Sequence, residues 1–517
     1  MAELEQLLAL FLAAVLLAAG ARRLGAPYPV FLAVGGALLA FVPGAPEFSV
    51  PPELALALFI APILLDAAYD ASPRDLRDNW LPLTSLVVFA VVLTTLAVAW
   101  VARALVPGMP WAPAIVLGAV VAPPDAAAAT AVLRHLRPPR RILTILEGES
   151  LLNDASALLI YRLAIAAAVA GGGFSIGDVA PTFMLAVAGS IVVGPVLGMI
   201  TLRVLDRVEH VPSAIILQFV TTFGVWILAE HIGLSAVLTM VSYAITVARR
   251  APERIPARSR IPSYAVWETV VFALNILAFI FIGLQIRPIF DSLQPGEFQR
   301  FLAVAGAVLV TVILVRVAWH MAFNAVMRWR NRAFGFKPTR LMLRPTVGSG
   351  LVIAWAGMRG IVSLAAALAL PSSFPYRDLI VTTAFSVVLG TLIVQGLTLR
   401  PLLRVLNLKD DDPVGRERRA ARERALQAGL AVLERSGSSL ADPVRREFAA
   451  RLTSEEQAID GTAEVRSEHT TLHREALKAA RDAVLAMRSS DEIGDDAFHE
   501  IEEELDWLEM ADGRKEG

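Results

Sequence analysis

Apolar runs of membrane-crossing length recur along this chain, each closed by Pro, Gly or a cluster of charge. A helix crosses the hydrocarbon of a bilayer in about 20 residues. The runs predict thirteen spans, at about 5–21, 27–43, 53–70, 80–105, 111–133, 143–170, 179–202, 212–230, 233–248, 263–286, 299–327, 347–370 and 378–403. The weakest division is at Glu230-His-Ile-Gly233, where two short spans compete with one irregular one. From Lys409 onward the pattern changes. Arg416–Glu434, Glu464–Met487 and Ile493–Leu508 interleave charge with Ala, Leu and Ile. They predict soluble helices with solvated faces, and regulatory ligand binding or self-association is the sharper reading of this tail.

The loops orient the spans. Odd-numbered loops hold 21 Lys and Arg residues, among them Arg134, Arg137, Arg140 and Arg141, and Lys337, Arg340 and Arg344, whereas even-numbered loops, with the span ends beside them, hold four: Arg103, Arg287, Arg300 and Arg377. The positive-inside rule then places the amino terminus outside and the carboxyl tail in the cytoplasm, which requires an odd number of spans. The first run follows an acidic Met-Ala-Glu-Leu-Glu start, so it reads as a retained span rather than a secretory signal.

Composition sharpens this picture. The chain has 517 residues, 56% hydrophobic and 18% charged, with a mean hydropathy of +0.59. A soluble protein carries roughly 25% charged residues. The net charge of −1 conceals two parts: residues 409–517 hold 17 Lys+Arg against 27 Asp+Glu, leaving 30 against 21 before them. The expected fold class is therefore an all-α polytopic membrane protein, residues 1–408, followed by a helical cytosolic tail, 409–517. The absence of cysteine excludes disulfides, thiolate metal sites and cysteine nucleophiles. Lipid is the expected surrounding; no resident cofactor, enzymatic activity or nucleic-acid partner is expected.

Away from the membrane surface, few ionisable residues remain within the spans. They are Asp66 in the third, Asp125 in the fifth, Glu147, Glu149, Asp154 and Arg162 in the sixth, Glu268 in the tenth, Arg316 and His320 in the eleventh, and Arg359 in the twelfth. Such residues are costly in hydrocarbon and mark cavities or ion paths. From a helix start near Leu143, a rise of 1.5 Å per residue carries Asp154 about 16 Å inward, close to mid-bilayer. Asp125 and Arg359 reach similar depth. On the sixth span Glu147, Ser150 and Asp154 share one face, and Glu149 and Asn153 share an adjacent one. These oxygens suit a hard monovalent cation stripped of part of its water.

Two spans are interrupted. The fifth carries Val121-Ala-Pro-Pro-Asp125, where Pro123 and Pro124 remove backbone donors, and the twelfth carries Gly357-Met-Arg-Gly360. They correspond if spans 1–6 and 8–13 form an inverted repeat, and paired broken helices point to a transporter's binding site. Asp125 then lies near a freed helix end, as a ligand, a helix cap or a counter-charge to Arg359.

The strings Ala122-Pro-Pro-Asp-Ala126, Ile145-Leu-Glu-Gly-Glu-Ser-Leu-Leu-Asn-Asp-Ala155 and Gly357-Met-Arg-Gly-Ile-Val-Ser-Leu-Ala365 resemble the monovalent cation/proton antiporters of NhaP/NHE type. The resemblance covers roughly residues 1–405. It implies a core, about 80–170 and 299–403, moving against a dimer scaffold, about 1–79 and 179–286, in a homodimer of the plasma or inner membrane. It implies that Asp154 binds the ion, that Asn153 supports it, that Ser150 and Asp125 are ligands or close neighbours, and that Asp66 points at the site. Glu149 and Arg359 would form a structural ion pair. Relatives often carry Thr-Asp-Pro at the fifth-span break; here Pro124-Asp-Ala126 leaves only a carbonyl at position 124.

The expected activity is exchange of Na⁺, with Li⁺ and K⁺ as alternatives, for H⁺. With one exchangeable carboxylate, electroneutral 1:1 exchange is the expected stoichiometry. A channel would need a continuous polar pore rather than one acidic site. An intramembrane aspartyl protease would need a Gly-x-Gly-Asp string, which does not occur.

Overall fold

The computed structural model describes residues 2–24, 27–42, 51–133, 138–169, 176–291, 297–334, 346–408, 413–435, 442–449, 452, 463–490, 501–502 and 504–508. Every regular element among them is helical. The chain divides into two compact units, Met1–Asp411 and Asp412–Gly517.

The first unit begins with α1 (Ala2–Leu24) and α2 (Tyr28–Leu39). A third stretch joins α3 (Pro52–Ala55) to α4 (Ala61–Asp70) through a π-helical turn, Leu56–Ile60. Then come α5 (Pro73–Asp78), α6 (Trp80–Thr84), a second π turn at Ser85–Ala90, and α7 (Val91–Leu105). Neither π turn interrupts its apolar run, so hydropathy reads straight through both. The broken pair α8 (Trp111–Val121) and α9 (Ala126–Leu133) precedes α10 (Arg140–Val169). Four helices follow: α11 (Ile176–Leu205), α12 (Val211–His231), α13 (Ala236–Arg254) and α14 (Ala257–Leu284). The unit closes with α15 (Ile286–Asp291), α16 (Glu297–Ala333), the second broken pair α17 (Val347–Trp355) and α18 (Ile361–Leu368), and α19 (Arg377–Leu406). Seven helical stretches among the described residues are long and apolar enough to cross a membrane, and α2 and α8 are shorter apolar helices. At the weak division, Gly233 takes φ +74° and ends α12, so two helices stand where one irregular span was the alternative.

Packing relies on small residues that let backbones approach, as expected where lipid offers no hydrophobic drive between helices. A Cβ at Gly36 of α2 would overlap the carbonyl of Ile280 on α14, and one at Gly283 of α14 would overlap that of Ala33 on α2. Gly118 of α8 meets the backbone of Thr95 on α7 in the same way. Large apolar side chains such as Leu96, Trp100, Ile191, Val220 and Leu314 stay on the outer surface. Inside are two principal apolar clusters. One spreads through α2, α8, α14, α18 and α19; the other joins Ile60 and Leu64 to Leu151, Trp226 and Met240. The site lies where these clusters part.

In the second unit, helices span Pro413–Arg435 and Ala463–Ser489. The third helix predicted for the tail, Ile493–Leu508, falls largely outside the described residues, as do Arg134, Arg137, Lys337, Arg340 and Arg344 of the basic loops.

Candidate ion-binding site

The two helix breaks meet each other. Pro123 and Pro124 have no N–H to offer the last turn of α8, so its carbonyls need other donors. Arg359, 1% exposed, supplies them from the opposite break. Its Nε donates to the Val121 carbonyl at 2.8 Å and a terminal nitrogen to Ala122 at 3.1 Å. Its other terminal nitrogen donates to Gly357, and its backbone N–H to Thr391 Oγ1 at 3.0 Å. A guanidinium matches the partial negative charge of helix carboxyl ends. The Asp125 N–H donates to the Met358 carbonyl at 2.7 Å, which ties one break to the other.

Asp125 performs the complementary task at the amino ends. It precedes α9, and its Oδ1 accepts the Ala127 N–H at 2.8 Å. Its Oδ2 lies against Gly360, the residue before α18, where a Cβ would overlap it. Of the roles open to Asp125, the structure shows helix capping. The carboxylate caps the start of α9 and the guanidinium the end of α8.

Asp154 is the fifteenth of the thirty residues of α10, so it sits about 21 Å along a helix about 45 Å long. The helix starts at Arg140 rather than 143, and Asp154 still falls at its middle. Its neighbours divide by face. Asn153 and Glu149 point into the protein. Asn153 Nδ2 donates to the Pro124 carbonyl at 2.9 Å, the one group that position 124 can offer, while Asn153 Oδ1 is buried without a hydrogen-bond partner among the described residues.

Glu149 does not pair with Arg359. Both of its oxygens are taken by Arg316 of α16, at 2.6 and 2.8 Å, with the two side chains 1% and 4% exposed. Arg359 is committed to backbone carbonyls, whereas Arg316 reaches Glu149 by passing over Gly357, where a Cβ would overlap its Nε. Arg316 also donates to the carbonyls of Ala354 and Ile353, at 3.1 and 3.3 Å. Each broken helix thus has its own arginine: Arg359 for α8, Arg316 for α17.

Asp154 and Ser150 occupy the other side of α10 and open on a cleft. Asp125, Pro123, Pro124 and Gly360 line it as well. Asp154 is 6% exposed and accepts no hydrogen bond from another described residue. A buried carboxylate without donors is poised to take either a proton or a cation. Ser150 and Asp125 bring further oxygens to the same space. Asp66 is half-buried on α4, but that helix lines the cleft with Ile63 and Leu64 rather than with Asp66. Glu268 is exposed, and Arg162 pairs with Glu230 at 3.8 Å, both away from the cleft.

Asn275 and Ser363, which also line the cleft, and Thr391 were not among the site residues expected from the sequence. Asn275 had a signal, since it is an amide within the apolar run Val270–Leu284. Thr391 had none.

Comparison with known proteins follows the same line. A family described as "Sodium/hydrogen exchanger, transmembrane" matches residues 8–405. An uncharacterized Na⁺/H⁺ exchanger of Mycobacterium tuberculosis is 31% identical over 505 residues, covering 93% of this chain and 91% of the relative. A sodium, potassium, lithium and rubidium/H⁺ antiporter of Bacillus subtilis is 27% identical, covering 94% of this chain and 74% of the relative. Among solved structures, the sodium proton antiporter MjNhaP1 from Methanocaldococcus jannaschii aligns with a TM-score of 0.57 at 17% identity, covering 78% of this chain and 100% of that one. At that identity the likeness is one of fold.

Proposed function

Because the chain belongs to the sodium/hydrogen exchanger family, we propose that its cation and its proton compete for the single carboxylate of Asp154. The observation that carries this reading is a buried acid, midway along α10, that faces a cleft and accepts no hydrogen bond from another described residue. Ser150 and Asp125 contribute oxygens, and Asn153 holds the unwound Pro124 segment beside the site. Na⁺ is the favoured cation, with Li⁺ and K⁺ as alternatives; the Bacillus subtilis relative is named for all three.

One exchangeable carboxylate carries one positive charge in either form, so exchange is 1:1 and electroneutral. Alternating access follows from the core, about 80–170 and 299–403, moving against the scaffold. The protein works as a homodimer with thirteen spans in the plasma or inner membrane, its amino terminus outside and its tail inside, and serves pH and sodium homeostasis.

Proteoliposomes loaded with a pH-sensitive dye test this. A Na⁺ gradient should move protons in the wild type, an imposed membrane potential should not alter the rate, and Asp154→Asn should abolish exchange at normal protein yield. Exchange by Asp154→Asn at the wild-type rate would remove Asp154 from the centre. A potential-dependent rate would overturn the 1:1 stoichiometry.

A further inference from the structure

We propose that Asn275 of α14 is a specificity-determining ligand, supplying a carbonyl oxygen to the cation from the wall of the cleft opposite Asp154. This rests on the reading that Asp154 holds the ion. The polar side chains Ser150, Asp154, Asp125 and Ser363 come to the cleft from α10, from the fifth-span break and from α18. The facing wall, built by the π turn, α4 and α14, is apolar at Ile60, Ile63, Leu64, Ala278 and Phe279, with Asn275 the exception.

Three observations make Asn275 more than a packing residue. It is half-buried, and its amide makes no hydrogen bond to any other described residue. It interrupts a run, Val270–Leu284, in which every other residue is apolar or glycine. An uncommitted amide in such a run costs free energy unless it meets a polar partner. Its helix is also firmly held, through the Gly36–Gly283 approach to α2, so the amide has a fixed position relative to the scaffold.

An amide oxygen is a hard neutral ligand. It replaces one lost water of a monovalent cation without adding charge, so the carboxylate alone still decides the stoichiometry. Because it comes from the opposite wall, it engages the ion only when the two walls are apposed. Asn275 thereby sets how large a cation the closed cleft accepts.

The test measures proton exchange in proteoliposomes against Na⁺, Li⁺ and K⁺, for wild type, Asn275→Leu and Asn275→Ala. Loss of one ligand oxygen should raise the half-saturating Na⁺ concentration roughly tenfold. The ratio of half-saturating Na⁺ to K⁺ should shift, while the maximal rate changes less than the half-saturating concentration. Leucine keeps the branched shape of asparagine and suits hydrocarbon, so thermal stability in detergent should be unchanged or higher. Half-saturating concentrations within twofold of wild type for all three cations, in both variants, would overturn the proposal. So would a fall in maximal rate alone, which is what a packing role predicts. If the wild type itself exchanges no cation for protons, the functional reading fails instead.

Discussion

Removing Glu149 should leave Arg316 buried with two of its donors unmatched. Glu149→Leu deletes both charge-assisted hydrogen bonds, at 2.6 and 2.8 Å, from a guanidinium 4% exposed. Breaking a buried pair from one side costs about 3–5 kcal/mol. Globular domains unfold with about 2.1 cal/mol/K per residue, so that loss lowers the midpoint of a 411-residue unit by roughly 3–6 °C. Membrane helices keep much of their structure on unfolding; their unfolding entropy is therefore smaller and the shift at least this large. Arg316→Met should cost as much, because Glu149 is then stranded. The double variant Glu149→Leu with Arg316→Met buries two apolar side chains instead and should recover most of the loss, a coupling of about 2 kcal/mol or more. The same cycle run with Arg359→Met should show no such recovery, since Arg359 bonds to the Val121, Ala122 and Gly357 carbonyls. Thermal unfolding in detergent, followed by size exclusion, measures all of these variants. Recovery with Arg359 instead of Arg316 would refute the assignment of the pair.

Other variants probe the crossing. Gly360→Ala places a methyl on Asp125 Oδ2 and should reduce exchange at least tenfold, because the carboxylate must leave the start of α18; near-normal exchange would show that the contact relaxes freely. Asn153→Leu leaves the Pro124 carbonyl without its donor and should cost about 1–3 kcal/mol, read as a lower unfolding midpoint together with weaker cation binding. Competition at Asp154 requires the half-saturating Na⁺ concentration to rise in proportion to proton concentration at acidic pH, with the maximal rate unchanged; a falling maximal rate at constant half-saturation would contradict a shared site.

Much of the site was legible before any geometry. Asp154 stood out because charge in a hydrocarbon-length run has few explanations, and its depth followed from a fixed rise per residue. Pro123 and Pro124 announced a break because proline lacks the donor a helix needs. Asp66 shows the limit of this kind of reading. A carboxylate in the right span still has to reach the cleft, and on this helix the lining residues are Ile63 and Leu64, about one turn before Asp66.

What the sequence by itself determined was the membrane setting, the helical class and the placement of the polar stretch Glu147–Asp154 within an apolar helix, since hydropathy, helix period and intramembrane charge are properties of residues and their spacing. The pairing of charges belonged to the tertiary structure. Glu149 had Arg316 and Arg359 as possible partners in different spans, and nothing in the spacing distinguished them. The choice turned on where backbone carbonyls lost their donors: Arg359 was drawn to the end of α8, and Gly357 left Arg316 a path to the carboxylate. Asn275 reached the cleft in the same way, through helices of distant sequence whose glycines allow them to touch. Spacing along one helix sets which side chains share a face. Only the packing of several helices sets what that face meets.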